Sequence, residues 1–113
     1  MTQKDIPNCF LPVTQLSEKL EKEGLSSLEL IEEYLERIRK YDRNLGAFID
    51  VYEEEARKAA SASDMARSSG HLIGPLQGIP VAVKDIIDIE GKITTGGSMV
   101  WKDRRSSLSL IHI

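Results

Sequence analysis

The segment Gly74-Pro75-Leu76-Gln77-Gly78-Ile79-Pro80-Val81-Ala82-Val83-Lys84-Asp85 constrains the fold of this chain more than any other. Two glycines and two prolines make its first half a loop that no helix traverses. The Val-Ala-Val run behind it has strand character. Side chains alternate across a strand, so Val81 and Val83 share one face while Ala82 and Lys84 share the other. The small Ala82 leaves room for the Lys84 ammonium to point into the protein. A lysine held away from water gives up its proton more readily and serves as a base. The segment is therefore a candidate catalytic strand end.

Bulk properties narrow the class. At 113 residues there is room for one domain. A net charge of −3, with acids and bases interleaved, argues against a nucleic-acid surface, which needs clustered Lys and Arg. No run approaches the roughly 20 apolar residues that span a bilayer, and Met1–Pro12 lacks the apolar core of a signal peptide. Cys9 is the sole cysteine, which excludes an internal disulfide and a cysteine-based metal site. A soluble cytoplasmic protein without membrane contact is the expectation.

Along the chain, Pro7 and Pro12 bound an irregular lead-in. Thr14 is a candidate N-cap for a helix over 15–23 that Gly24 ends. Ser26 and Glu29 have the spacing of a capping box, opening a helix over 27–41 with Leu28, Ile31, Leu35 and Ile38 on one face. Its charges (Glu32, Glu33, Glu36, Arg37, Lys40) read as a solvated face. Residues 42–46 read as a turn and Ala47–Val51 as a strand. An alanine-rich helix over 53–67 follows, stopped by Gly70. His71 falls in a loop with no evident partner. After the Lys84 strand, Asp88 and Glu90 read as a wet strand face and Trp101 as core or pocket wall. Lys102 to Arg105 read as an exposed polar run. The order helix, helix, strand, helix, strand predicts an α/β fold.

Ten residues beyond Lys84-Asp85 stands Thr94-Thr95-Gly96-Gly97-Ser98. This pair of patterns resembles the amidase signature family, which carries Gly-Pro-Leu-His-Gly-Ile-Pro, a short apolar strand, Lys-Asp and then Thr-Thr-x-Gly-Ser. A lysine at a strand end is ordinarily a solvated residue, and the two spaced motifs reverse that expectation. Gln77 replaces the family's usual His and reads as a structural loop position. Ser27-Leu28-Glu29-Leu30, Tyr34-Leu35-Glu36-Arg37-Ile38, Ala47-Phe48 and an alanine-rich helix near Asp64 extend the resemblance over about 11–104. It implies the N-terminal part of a mixed sheet sandwiched by helices, in a domain several times longer than this chain.

The resemblance further implies a hydrolase of carboxylic amides, working through a serine nucleophile, a second serine in a cis peptide linkage, and a lysine. Lys84 matches that lysine, the general base. No metal or organic cofactor is implied, and the partner is a small-molecule amide. The two serines belong to a Gly/Ser-rich segment further along the family's chain; Gly96-Gly97-Ser98 lies too close to Lys84 to be it and reads instead as a tight backbone passage. Asp85 reads as a hydrogen-bond acceptor rather than an acid. Holding a lysine neutral at pH 7 costs about 4–5 kcal/mol, which needs a closed domain, so this chain alone is expected to be inactive. The same module serves as the glutaminase subunit of tRNA-dependent amidotransferases. Those often carry Asn after Lys-Asp, where Ile86 stands here. A non-catalytic helical interaction module is the alternative from another class. The last six residues, Leu108 to Ile113, are what one reading frame of a sequencing-library transposase adapter encodes, and the resemblance fades over 104–107. They are expected to be foreign, His112 with them, leaving 1–107 as the family-related part.

Overall fold

The structure is a computed structural model that describes residues 6–109. The expected foreign stretch lies outside the described residues from position 110 onward, as do residues 1–5 of the lead-in. The chain divides into two compact units, Met1–Pro80 and Val81–Ile113.

The first unit is helical. A 3₁₀ turn, Asn8–Phe10, sits between the two prolines. Helix α1 spans Val13–Lys22, α2 Ser27–Leu45 and α3 Glu53–Ser68. Helix α1 starts earlier than the expected Thr14 cap: Pro12 is its N-cap, with no side-chain cap bond. Proline tolerates this place because the first turn needs no N–H from it. The capping box of α2 is formed as the spacing predicts. Glu29 N–H donates to Ser26 Oγ and Ser26 N–H to Glu29 Oε2, both at 3.0 Å. The residues expected to turn after position 41 instead complete α2. Gly46 ends it in the left-handed conformation at φ 59°, and Asp42 accepts the N–H groups of Ala47 and Phe48.

Two neighbouring stripes of α2 do the packing. Leu30 joins Leu16 and Leu20 of α1 in one buried cluster, with Leu11, Leu25, Tyr34 and Ile79 around it. Ile31 and Leu35 meet Ala60 of α3 in a second, flanked by Ala56. The alanines let the α3 backbone come close to α2. Leu30, not Leu28, belongs to the buried face; Leu28 is exposed. The α2 charges are not merely solvated. Arg57 of α3 pairs with Glu32, and Glu33 accepts from Asn8 Nδ2 and Cys9 N–H at 3.0 Å each. Arg37 lies over the rings of Phe10 and Tyr41.

The expected strand over 47–51 is not formed, and neither is the one over 81–84. Among the described residues there is no strand at all, only bridge contacts between Glu90 and Ser106 and between Ile93 and Arg105. A strand exists through hydrogen bonds to a neighbour, and no ladder of such bonds joins either segment to another described residue. The expected α/β fold, a mixed sheet sandwiched by helices, is not shown among the described residues, whose regular elements are helices. None of these is long and apolar enough to cross a membrane.

Candidate active site

The motif read from sequence falls on both units, and each half is held by its own neighbours. In the first unit, Gln77 closes the loop ahead of the strand-like run. Its Oε1 accepts Ile73 N–H at 2.8 Å and its Nε2 donates to the His71 carbonyl at 3.2 Å. The loop role assigned to Gln77 is thereby met, and His71 is engaged through its backbone. Ile79 packs into the leucine cluster.

Beneath this loop lies a polar knot that the sequence reading missed. Asp64 of α3 accepts Ser27 N–H at 2.7 Å and Leu28 N–H at 3.1 Å, capping α2 from another helix. Arg67, one turn on, donates to Asp64 and Ser27 Oγ and reaches the Gln77 carbonyl at 3.0 Å. Gly78 completes the knot at φ 79°. A Cβ there would collide with Ser27 Oγ and lie 2.8 Å from Ser63 Oγ, so backbone approach requires glycine. The only signal in the sequence was Asp64 and Arg67 three residues apart on an alanine-rich helix, which is also what a solvated ion pair looks like.

In the second unit, Lys84 sits on an irregular stretch and is exposed. The inward orientation expected from strand alternation is not adopted, because without a paired strand nothing fixes the alternation or covers that face. Its carbonyl accepts Ile87 N–H at 3.0 Å. Asp85 next to it is an acceptor, as expected. One carboxylate oxygen takes Thr95 N–H at 2.9 Å and the other takes the Thr95 hydroxyl, while the Asp85 carbonyl takes Gly96 N–H at 2.8 Å. The two Thr95 bonds, the hydroxyl's above all, hold the Asp85 carboxyl below the usual carboxylate range. Gly96 and Gly97 have φ of 59° and 78°, the tight passage that the Gly-Gly pair predicted.

One further expectation changes here, and two gain detail: Lys102 to Arg105 are exposed as expected, and Trp101 takes one of its two alternatives. Asp88 is not a free wet-face residue: Arg104 grips both its oxygens, at 2.9 and 3.1 Å, and lowers its pKa. Arg104 and Arg105, though exposed, are tied down, the latter through the Gly91 carbonyl at 2.8 Å. Trp101 is half exposed and lines an open hollow of about 360 Å³ with Ile86, Thr94, Thr95, Gly96 and Arg104. That fits the pocket-wall alternative rather than core. Among the described residues no three His, Cys, Asp or Glu side chains gather as metal ligands would.

A sequence profile of the family described as Amidase matches residues 29–109, which takes in both motifs and, of the knot beneath the loop, Asp64, Arg67 and Gly78 but not Ser27. The chain belongs to the amidase family. It is 45% identical over 74 residues to a glutamyl-tRNA(Gln) amidotransferase subunit of Protochlamydia amoebophila, covering 66% of this chain and 15% of that protein. It is 40% identical over 88 residues to an amidase of Pseudomonas putida, covering 78% and 19%. Its fold superposes on the native peptide amidase of Stenotrophomonas maltophilia with a TM-score of 0.80 at 34% identity, covering 88% of this chain and 21% of that one. The chain therefore spans under a quarter of the length of these amidase-family relatives.

Proposed function

We propose that this chain is the N-terminal part of an enzyme that hydrolyses the carbon–nitrogen bond of a small carboxylic amide, with Lys84 as general base. In this reading a serine supplied by the rest of the protein attacks the amide carbonyl. Its proton passes through a second, cis-linked serine to the neutral Lys84 amine. Backbone N–H groups stabilise the oxyanion, the amine product leaves with a proton, and water releases the acyl group. No metal or organic cofactor takes part. In this reading residues 1–107 supply the base and the scaffold behind it and Leu108–Ile113 is foreign, although the family profile runs on to residue 109.

The observation that carries this reading is the pairing of the two motifs. Lys84-Asp85 and Thr94–Ser98 both lie inside the family-matched stretch, and hydrogen bonds join them. The test uses the product of the complete reading frame, assayed for amide hydrolysis. Lys84→Met is expected to lower kcat by about 10²–10⁴-fold. Undiminished hydrolysis in that variant would remove Lys84 from the chemistry.

A second reading has specific support, because several relatives at 35–45% identity are named as glutamyl-tRNA(Gln) amidotransferase subunits. Here the amide would be glutamine and the enzyme would work with partner subunits. Glutamine-dependent ammonia release that needs a copurifying protein would favour it; hydrolysis of simple amides by the isolated protein would favour the first.

A further inference from the structure

We propose that Asp85 and Thr95 form a positioning clamp that holds the backbone carrying Lys84. The proposal rests on the general-base reading of Lys84, and the residues involved all belong to the second unit.

Lys84 has neither a helix nor a sheet to place it. A base must nevertheless meet its proton donor within a few tenths of an ångström, and misplacement by about 1 Å costs roughly a hundredfold in rate. What fixes the backbone is the loop ten residues later. Thr95 carries two donors on one residue, its N–H and its hydroxyl, and both go to the two oxygens of the Asp85 carboxylate. The hydroxyl is itself oriented, since its lone pair accepts Gly97 N–H at 3.1 Å. The Asp85 carbonyl takes Gly96 N–H, and the Lys84 carbonyl takes Ile87 N–H. Thr94, buried below, reaches the Ile87 carbonyl with its hydroxyl at 3.4 Å. Both peptide carbonyls around the Lys84–Asp85 junction are thus occupied, leaving chiefly the side-chain torsions of Lys84 to be settled by its surroundings.

The chemistry of the pair is selective. The clamp as seen needs an ionised Asp85. The two Thr95 donors go to two different oxygens, and only a carboxylate offers both as full acceptors; an amide puts an NH2 donor in place of one. The lowered pKa of Asp85 agrees with that state at neutral pH and makes this residue a poor proton donor. Valine at 95 would keep the N–H bond and lose the hydroxyl; serine would keep both. A glycine pair after Thr95 is what lets successive N–H groups turn toward one residue.

The experiment uses the product of the complete reading frame with Thr95→Val, Thr95→Ser and Asp85→Asn. With the wild type hydrolysing an amide, Thr95→Val and Asp85→Asn are expected to lower kcat about 10- to 100-fold with KM within about twofold, and Thr95→Ser to recover kcat to within about threefold. Wild-type kcat in Thr95→Val overturns the clamp while leaving the Lys84 reading intact. Lys84→Met with full activity sinks the Lys84 reading instead. The clamp is then judged on amide hydrogen exchange: slow exchange at Thr95 and Gly96, lost in Asp85→Asn, upholds it. Exchange at the rate of an open loop in the wild-type protein overturns it whatever the variants do, including any that fail to fold.

Discussion

In Met1–Pro80, three helices close over Leu16, Leu20, Leu30, Ile31 and Leu35, and polar bonds finish what apolar burial begins. In Val81–Ile113 the proportions are reversed. Its buried side chains among the described residues are Thr94 and Ser106, while Val81, Ile86, Met99 and Val100 lie exposed. Hydrogen bonds and the Arg104–Asp88 pair give that unit its shape. A scaffold built on burial is insensitive to charge and sensitive to volume; a loop system built on polar ties is the opposite. The motif spans both, with Gly78 and Ile79 anchored in the first kind of structure and Lys84-Asp85 in the second.

The largest break in this contrast comes from Leu30→Ala. Leu30 is fully buried between α1 and α2, and its truncation is expected to cost about 3–4 kcal/mol, read as a lowered denaturant midpoint. Exchange protection should collapse across α1 and α2, yet the amides of Thr95 and Gly96 should keep theirs, since their partners are Asp85 atoms. Joint loss in both units would show that the leucine core also supports the second. Next in size is Gly78→Ala. The left-handed φ and the crowding against Ser27 and Ser63 together are expected to cost about 2–3 kcal/mol. Here the damage should fall on the Arg67–Gln77 bond and the loop before that on the helices. A variant as stable as wild type would mean the knot opens cheaply.

How much of this was legible in the sequence follows the same division. The capping box, the alanine-rich helix and the Gly-Gly passage depend on residues a few positions apart, and the structure has them all. The Asp85–Thr95 bonds were half legible: Asp85 was readable as an acceptor, its donor was not. Neither expected strand forms because a strand is a property of two segments, and Ala47–Val51 and Val81–Lys84 have no ladder partner among the described residues. The Asp64–Arg67–Ser27 knot was invisible for a related reason. It joins residues about 40 positions apart, and nothing in a helical Asp-x-x-Arg tells whether it faces water or another helix.

Acid gives the smallest effect and the sharpest comparison. Asp85 and Asp88 have folded pKa values below those of an unfolded chain, the first through Thr95 and the second through Arg104. A carboxyl depressed on folding adds stability above its unfolded pKa, near 4, and that stability is lost as pH falls through the folded value. Both are exposed enough for solvent and salt to screen them, so the change is modest. Glu32, lowered by Arg57, gives the first unit a similar term, but the leucine clusters there do not titrate. Between pH 6 and pH 3, with intrinsic exchange rates corrected for, protection at Thr95 and Gly96 should therefore fall while that at Leu30 and Leu35 changes little. Equal losses at all four amides would mean that a carboxylate in the helical unit, rather than the loop ties, governs the acid response. The distinction between burial-built and bond-built halves would then have to be abandoned.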